Sequence, residues 1–142
     1  MMMSALYNGR NITLISPRRL GKTGLIWNAF HRIQSENKDA ICIYIDVFPT
    51  KNQHEMVNML GTAVFNAALS KGKAFGRKML DMLGALRPMV GIDSLTGMPN
   101  VTVNIDPTQA EMSIKSIFGH LNRIEKEVFI AIDEFQQIAS YP

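Results

Sequence analysis

Apolar residues recur along this chain with two periods, about 3.6 residues in some stretches and 2 in others, and the switches between them mark out its elements. Residues 4–10 read as the end of a helix stopped at Asn8-Gly9, where glycine takes a left-handed turn. The short run Ile12 to Ile15 predicts a first strand, starting around Asn11. Beyond a polar loop, Leu25, Ile26, Ala29, Phe30 and Ile33 fall on one face of a helix. Ser35 to Asp39 form a polar turn. Ile41-Cys42-Ile43-Tyr44-Ile45 then reads as a strand buried on both faces and closed by Asp46.

The second half continues in the same way. From about Asn52 to Leu69, the residues Met56, Val57, Leu60, Ala63, Val64, Ala67 and Ala68 line a helical face. From about Ala74 to Leu86 a second stripe carries Phe75, Met79, Leu83 and Leu86, and it ends before Pro88. Met89 to Ile92 and the alternating Val101-Thr102-Val103-Asn104-Ile105 are separated by turn formers, which predicts a β-hairpin near 89–105 with one face exposed. Asp106-Pro107 breaks it. Thr108 and Glu111 have the spacing of a capping box, opening a helix that buries Ile114, Ile117, Phe118, Leu121 and Ile124. Val128 to Ile132 form the last strand, followed by Asp133-Glu134.

The loop between the first strand and its helix carries candidate chemistry. Ser16-Pro17-Arg18-Arg19-Leu20-Gly21-Lys22-Thr23-Gly24 has the layout of a phosphate-binding P-loop. Backbone N–H groups at a helix start lack internal partners and sit at the positive end of the helix dipole, so a polyphosphate satisfies both deficits. Gly21 lets the backbone approach the anion, Lys22 adds charge at the β and γ phosphates, and the Thr23 hydroxyl ligates magnesium. Ser16 stands where the strict pattern has glycine; Pro17 stiffens the loop there. Asp46 has two readings: facing the nucleotide at a strand end, or capping the turn at Phe48-Pro49-Thr50.

Composition adds bounds. The 142 residues suit one domain, with 46% apolar and 19% charged residues. Cys42 is the one cysteine, so no internal disulfide forms, and it reads as a small core residue in a reducing compartment. No signal peptide or membrane-length apolar run is visible, which predicts a cytoplasmic protein without a membrane partner. The formal charge of +3 is mild, and Arg10, Arg18, Arg19 and Lys22 crowd near the phosphate loop. Lys71, Lys73, Arg77 and Lys78 make a second basic cluster, whose interleaved aromatic residue, Phe75, is taken up by the apolar stripe rather than offered to stack on bases.

Four or five apolar residues ending in Asp133 make the pattern of a Walker B strand, whose acid holds magnesium through its waters. Glu134 follows as the residue that orients or deprotonates the attacking water. Ser16 to Thr23, Ile43-Tyr44-Ile45-Asp46 and Ile130-Ala131-Ile132-Asp133-Glu134-Phe135-Gln136-Gln137-Ile138 together resemble the archaeal-type ATPase family, an AAA-like group of P-loop NTPases related to the signal-transduction ATPases. The resemblance implies an α/β fold, a three-layer α/β/α P-loop NTPase sandwich with a mainly parallel sheet. It also implies ATP and Mg2+ as cofactors, Lys22 and Thr23 in the phosphate and metal roles, Asp133 in the metal-water role and Glu134 in the water-activating role.

In that class the strand at 11–15 lies between two strands that follow the Walker B strand in sequence. The chain is therefore expected to be a partial ATPase domain, roughly its N-terminal half, truncated after residue 134 and its short tail, with open sheet edges that allow oligomers. The leading expectation is ATP binding and hydrolysis as the motor or switch of a larger protein, with DNA or protein partners met through other domains. The alternatives are a nucleotide-bound regulatory switch without significant turnover, and a nucleic-acid-binding module using the second basic cluster.

Overall fold

Strand and helix periods place one seam at the centre of the molecule, where two apolar strands can pair only if helices cover both of their faces. A computed structural model of the chain describes residues 2–17 and 19–142. Its elements in order are α1 (Met2–Tyr7), α2 (Lys22–Glu36), β1 (Ile41–Asp46), α3 (Gln53–Ser70), α4 (Lys73–Met82), β2 (Pro88–Ile92), β3 (Pro99–Val103), α5 (Ala110–Leu121) and β4 (Val128–Asp133). β1 and β4 are parallel and in register, from Ile41 opposite Val128 to Asp46 opposite Asp133. β2 and β3 form a separate antiparallel pair.

Because side chains alternate along a strand, the seam has two distinct faces. Ile41, Ile43 and Ile45 join Val128, Ile130 and Ile132 in the larger core, packed against α3, α4, α5 and β3. Cys42 and Tyr44 join Phe129 and Ala131 on the other face, beneath Phe30 and Ile33 of α2 and Met3 and Leu6 of α1. The fold is thus mixed α/β with a small parallel sheet, and each sheet has two strands among the described residues. No helix among the described residues is long and apolar enough to cross a membrane.

Several expectations need correction. Ile12 to Ile15 is not a strand. Its N–H and C=O groups find no ladder partner among the described residues, and Ile15 is 91% exposed. A strand needs a neighbour as well as an apolar sequence. For the same reason β4, paired on one edge, is only half-buried along most of its length. Leu25 and Phe118 are exposed, because a two-stranded sheet is too narrow to cover the whole stripe of α2 and α5 turns Ile117 and Leu121 inward. The second stripe is helical only to Met82; Gly84–Leu86 tighten into a 3-10 turn that still buries Leu83 and Leu86. The capping box at Thr108 and Glu111 does not form. Asp106 takes the cap, its Oδ1 accepting from the Thr108 amide and hydroxyl, while Glu111 pairs with Lys115.

The hairpin forms as expected, and its outer edge is held in an unexpected way. Asn66 accepts from the Val101 amide and donates to the Val101 carbonyl, both at 2.9 Å. The Thr62 hydroxyl accepts from the Val103 amide at 3.0 Å, and Asn58 Oδ1 accepts from the Ile105 amide at 2.8 Å. His54 Nε2 lies 2.7 Å from the Ile105 carbonyl. Residues recurring every fourth position on α3 therefore act as the missing neighbour strand of β3, and Gly61 lets Val103 approach.

Two consequences are measurable. Asn66→Ala leaves both polar groups of the fully buried Val101 without partners, and should cost on the order of 1–3 kcal/mol for each orphaned group. Urea unfolding should show a lower midpoint at unchanged slope. Burial pushes the Cys42 thiol from 9.0 up to about 11. At pH 8 its thiolate fraction is then about a hundredfold below that of an ordinary thiol, so iodoacetamide should label native protein far more slowly than urea-unfolded protein.

Candidate functional site

The site is assembled where α2 begins and where β1 and β4 end. Gly21 sits at φ 78° and ψ 20°, a left-handed conformation natural to glycine, and the chain turns there into α2. Among the described residues no side chain caps this helix start. Its first backbone bond runs from the Leu25 amide to the Gly21 carbonyl, so the amides of the opening turn point outward without helical acceptors. Arg19 is also left-handed, at φ 66°. Lys22 curls back over the loop, its Nζ donating to the Ser16 carbonyl at 3.0 Å. Arg18 lies outside the described residues.

Period-two alternation brings Asp133 out on the α2 face, two residues beyond Ala131. There Thr23 Oγ1 donates to Asp133 Oδ2 at 2.7 Å, joining residues 110 positions apart. The Tyr44 hydroxyl donates to the same oxygen at 2.9 Å, and the Glu134 amide donates to Oδ1 at 2.9 Å. Burial pushes the Asp133 carboxyl up, but the hydrogen bonds from Thr23, Tyr44 and the Glu134 amide, with the Lys22 charge nearby, more than offset it and hold its pKa below the ordinary value. The Tyr44 phenol moves the other way. Burial first, then its bond to the Asp133 carboxylate, push it to about 12.

A cleft of about 350 Å3 opens over these groups, lined by Arg19 to Thr23 on one side and by Asp46, Phe48, Asp133 and Glu134 on the other. A wider hollow of about 700 Å3 lies across the loop, between Thr13 to Ser16 and the first turns of α2. Asp46 caps its turn and also faces the cleft. Its Oδ1 accepts from the Phe48 amide at 2.9 Å, and the residue also borders the cleft. Glu134 is left-handed at φ 55° and ψ 35°, with its carboxylate bonded by the Gln136 amide nitrogen. Pro17 is exposed beside the loop, and Leu20 and Gly24 line the hollows.

Thr23, Asp46, Asp133 and Glu134 therefore offer only oxygen donors around one cleft, beside Lys22 and a row of free amides. A hydroxyl and a carboxylate already within 2.7 Å of one another suit a small hard cation such as Mg2+, and the amides with Lys22 suit its phosphate counter-ligand. No group of three or more His, Cys, Asp or Glu residues that would cage a metal occurs among the described residues. Sequence reasoning overlooked Tyr44 and Gln136. The available signal for Tyr44 was a polar-tipped aromatic in an apolar strand, two residues before Asp46 and so on the same face.

Glu134 carries backbone strain, since a left-handed residue with a Cβ costs roughly 1–2 kcal/mol. Glu134→Gly should accordingly raise unfolding free energy by about 1 kcal/mol in urea titrations, even though it deletes a carboxylate from the cleft.

The model of the KAP family P-loop domain matches residues 20–139 of this chain. The matched span includes Gly21-Lys22-Thr23 and Asp133-Glu134. Searches of curated proteins and of solved structures give no match.

Proposed function

The chain belongs to the KAP family of P-loop domains, and on that premise we propose that it binds ATP with magnesium in the cleft between α2 and the ends of β1 and β4, and hydrolyses it. The observation that carries this reading is the Thr23 to Asp133 bond, which brings the two halves of a phosphate and metal site together. Bound MgATP supplies the scissile phosphoanhydride and the cation that neutralises it. The chain's own groups do the rest by position and charge. The amides of the first turn of α2 and the loop from Ser16 to Gly24 hold phosphate oxygens. Lys22 has donors beyond the one given to Ser16 and would give them to the phosphates. Thr23, whose proton is on Asp133, would offer its oxygen to the metal. Asp133 would help hold the cation, and Glu134, released from Gln136, would take the proton of the attacking water.

The choice of ATP and the kinship to the archaeal-type ATPases rest on the Pro17-Arg18-Arg19-Leu20-Gly21-Lys22-Thr23 form of the loop. Hydrolysis would drive a motor or switch in a larger cytoplasmic assembly, with any DNA or protein partner reached through other domains. A second reading has its own support: Gln136 holds the Glu134 carboxylate, as expected of a nucleotide-bound switch that turns over little.

Calorimetry with MgATP should show binding that Lys22→Ala weakens at least tenfold. Glu134→Gln should preserve that binding and lower turnover about a hundredfold or more. Turnover indifferent to Glu134→Gln favours the switch, and no binding by folded wild-type protein overturns both readings.

A further inference from the structure

Asp133 offers about four acceptor positions on its two oxygens, and donors among the described residues fill three of them. Thr23 and Tyr44 both donate to Oδ2, and the Glu134 amide takes one position on Oδ1. The carboxylate is thus fixed in plane and rotation. Two of the three donors belong to the motif segments themselves. Tyr44 comes from the middle of β1, two positions before Asp46, which borders the cleft.

Tyr44 is itself held from above. Trp27, the single tryptophan of the chain, lies tilted over the Tyr44 ring with centroids 5.1 Å apart, and it braces edge-on against Phe30 at 6.0 Å. Thr23 and Trp27 are one helical turn apart on α2 and so share a face. The first turn of α2 therefore grips β1 twice around Tyr44: Trp27 covers its ring, and Thr23 shares the acceptor of its hydroxyl. Tyr44 thereby connects Asp133 Oδ2 to the indole of Trp27.

We propose that Tyr44 is a positioning residue for Asp133, which sets the affinity of the site for magnesium and reports its occupancy to Trp27. This rests on the reading of the cleft as a magnesium-nucleotide site. Partners that orient a metal-binding carboxylate typically contribute 10–100-fold to metal affinity. The phenol has no access to the phosphates in this role. Its loss acts on the magnesium dependence of binding and leaves magnesium-free nucleotide binding as it was.

The test is nucleotide binding by calorimetry across a magnesium titration, in parallel with Trp27 fluorescence, for wild type, Tyr44→Phe, Asp133→Asn and the double variant. Tyr44→Phe retains the ring under Trp27, and its fold is verified by thermal melting. It should raise the half-saturating magnesium concentration about tenfold, leave affinity in EDTA unchanged, and lose the magnesium-dependent fluorescence change. In the Asp133→Asn background it should add nothing. A magnesium midpoint within threefold of wild type, a lowered midpoint, or an undiminished effect without the Asp133 carboxylate overturns the proposal. Equal weakening with and without magnesium marks a merely structural role and overturns it too. Absence of magnesium-dependent nucleotide binding in wild type overturns the underlying reading of the cleft, and this inference with it.

Discussion

The parallel, in-register pairing of β1 with β4 is the constraint on which the rest of the molecule depends. It makes the two strands end flush, with Asp46 opposite Asp133, so that both carboxylates reach the same edge. A slip of one residue would turn Asp133 to the α3 face and carry Ile130 and Ile132 out of the larger core. The larger core guards against this, because Ile41, Ile43 and Ile45 are all buried on that side and none could be exchanged for Tyr44 without burying a phenol among aliphatic side chains. Apolar packing on one face thereby fixes polar geometry on the other.

Much of this was legible in the sequence, and the parts that were not share a cause. The helices at 22–36 and 53–70 and the strands at 41–46 and 128–133 follow from short-range periods that each segment carries within itself. The separation of Thr23 from Asp133 was bridged by recognising two motifs. Ile12 to Ile15 is different: its apolar pattern is real, but a strand is a relation between segments, and none of the described residues supplies the second one. The cap of α5 failed for a local reason. Asp106 precedes Pro107, so its short side chain reaches the Thr108 amide and hydroxyl first, and Asx-type bonding of this kind competes directly with a Thr-to-Glu box.

The polar stripe of α3 shows how one periodic pattern is compatible with two structural roles. His54, Asn58, Thr62 and Asn66 recur every fourth residue beside the apolar face, as solvated residues on a surface helix commonly do. Their partners are instead the backbone groups of residues 101–105 on β3 and just beyond it. An α-helix rises 1.5 Å per residue, so four residues advance about 6 Å, close to the spacing of two strand residues. The match lets a helix serve as the neighbour of a strand, and it protects one edge of the hairpin from pairing elsewhere. β2, on the other edge, has no such cover, and Met89, Val90 and Ile92 are exposed.

The two acidic residues that close β4 are held in opposite ways. Asp133 is nearly sealed, 9% exposed, and three donors fix its direction. Glu134 occupies a strained left-handed backbone position and is held by the exposed Gln136 side chain, a bond that solvent competes for. A metal-orienting group gains from rigidity, since each lost degree of freedom is one that need not be lost on binding. A proton acceptor must meet a water that arrives with the substrate, so it gains from a restraint that can be exchanged. The left-handed turn at Glu134 is what separates the two roles proposed for these carboxylates. It turns the backbone so that its amide serves Asp133 Oδ1, and one peptide unit thereby locks the first carboxylate while leaving the second free to move.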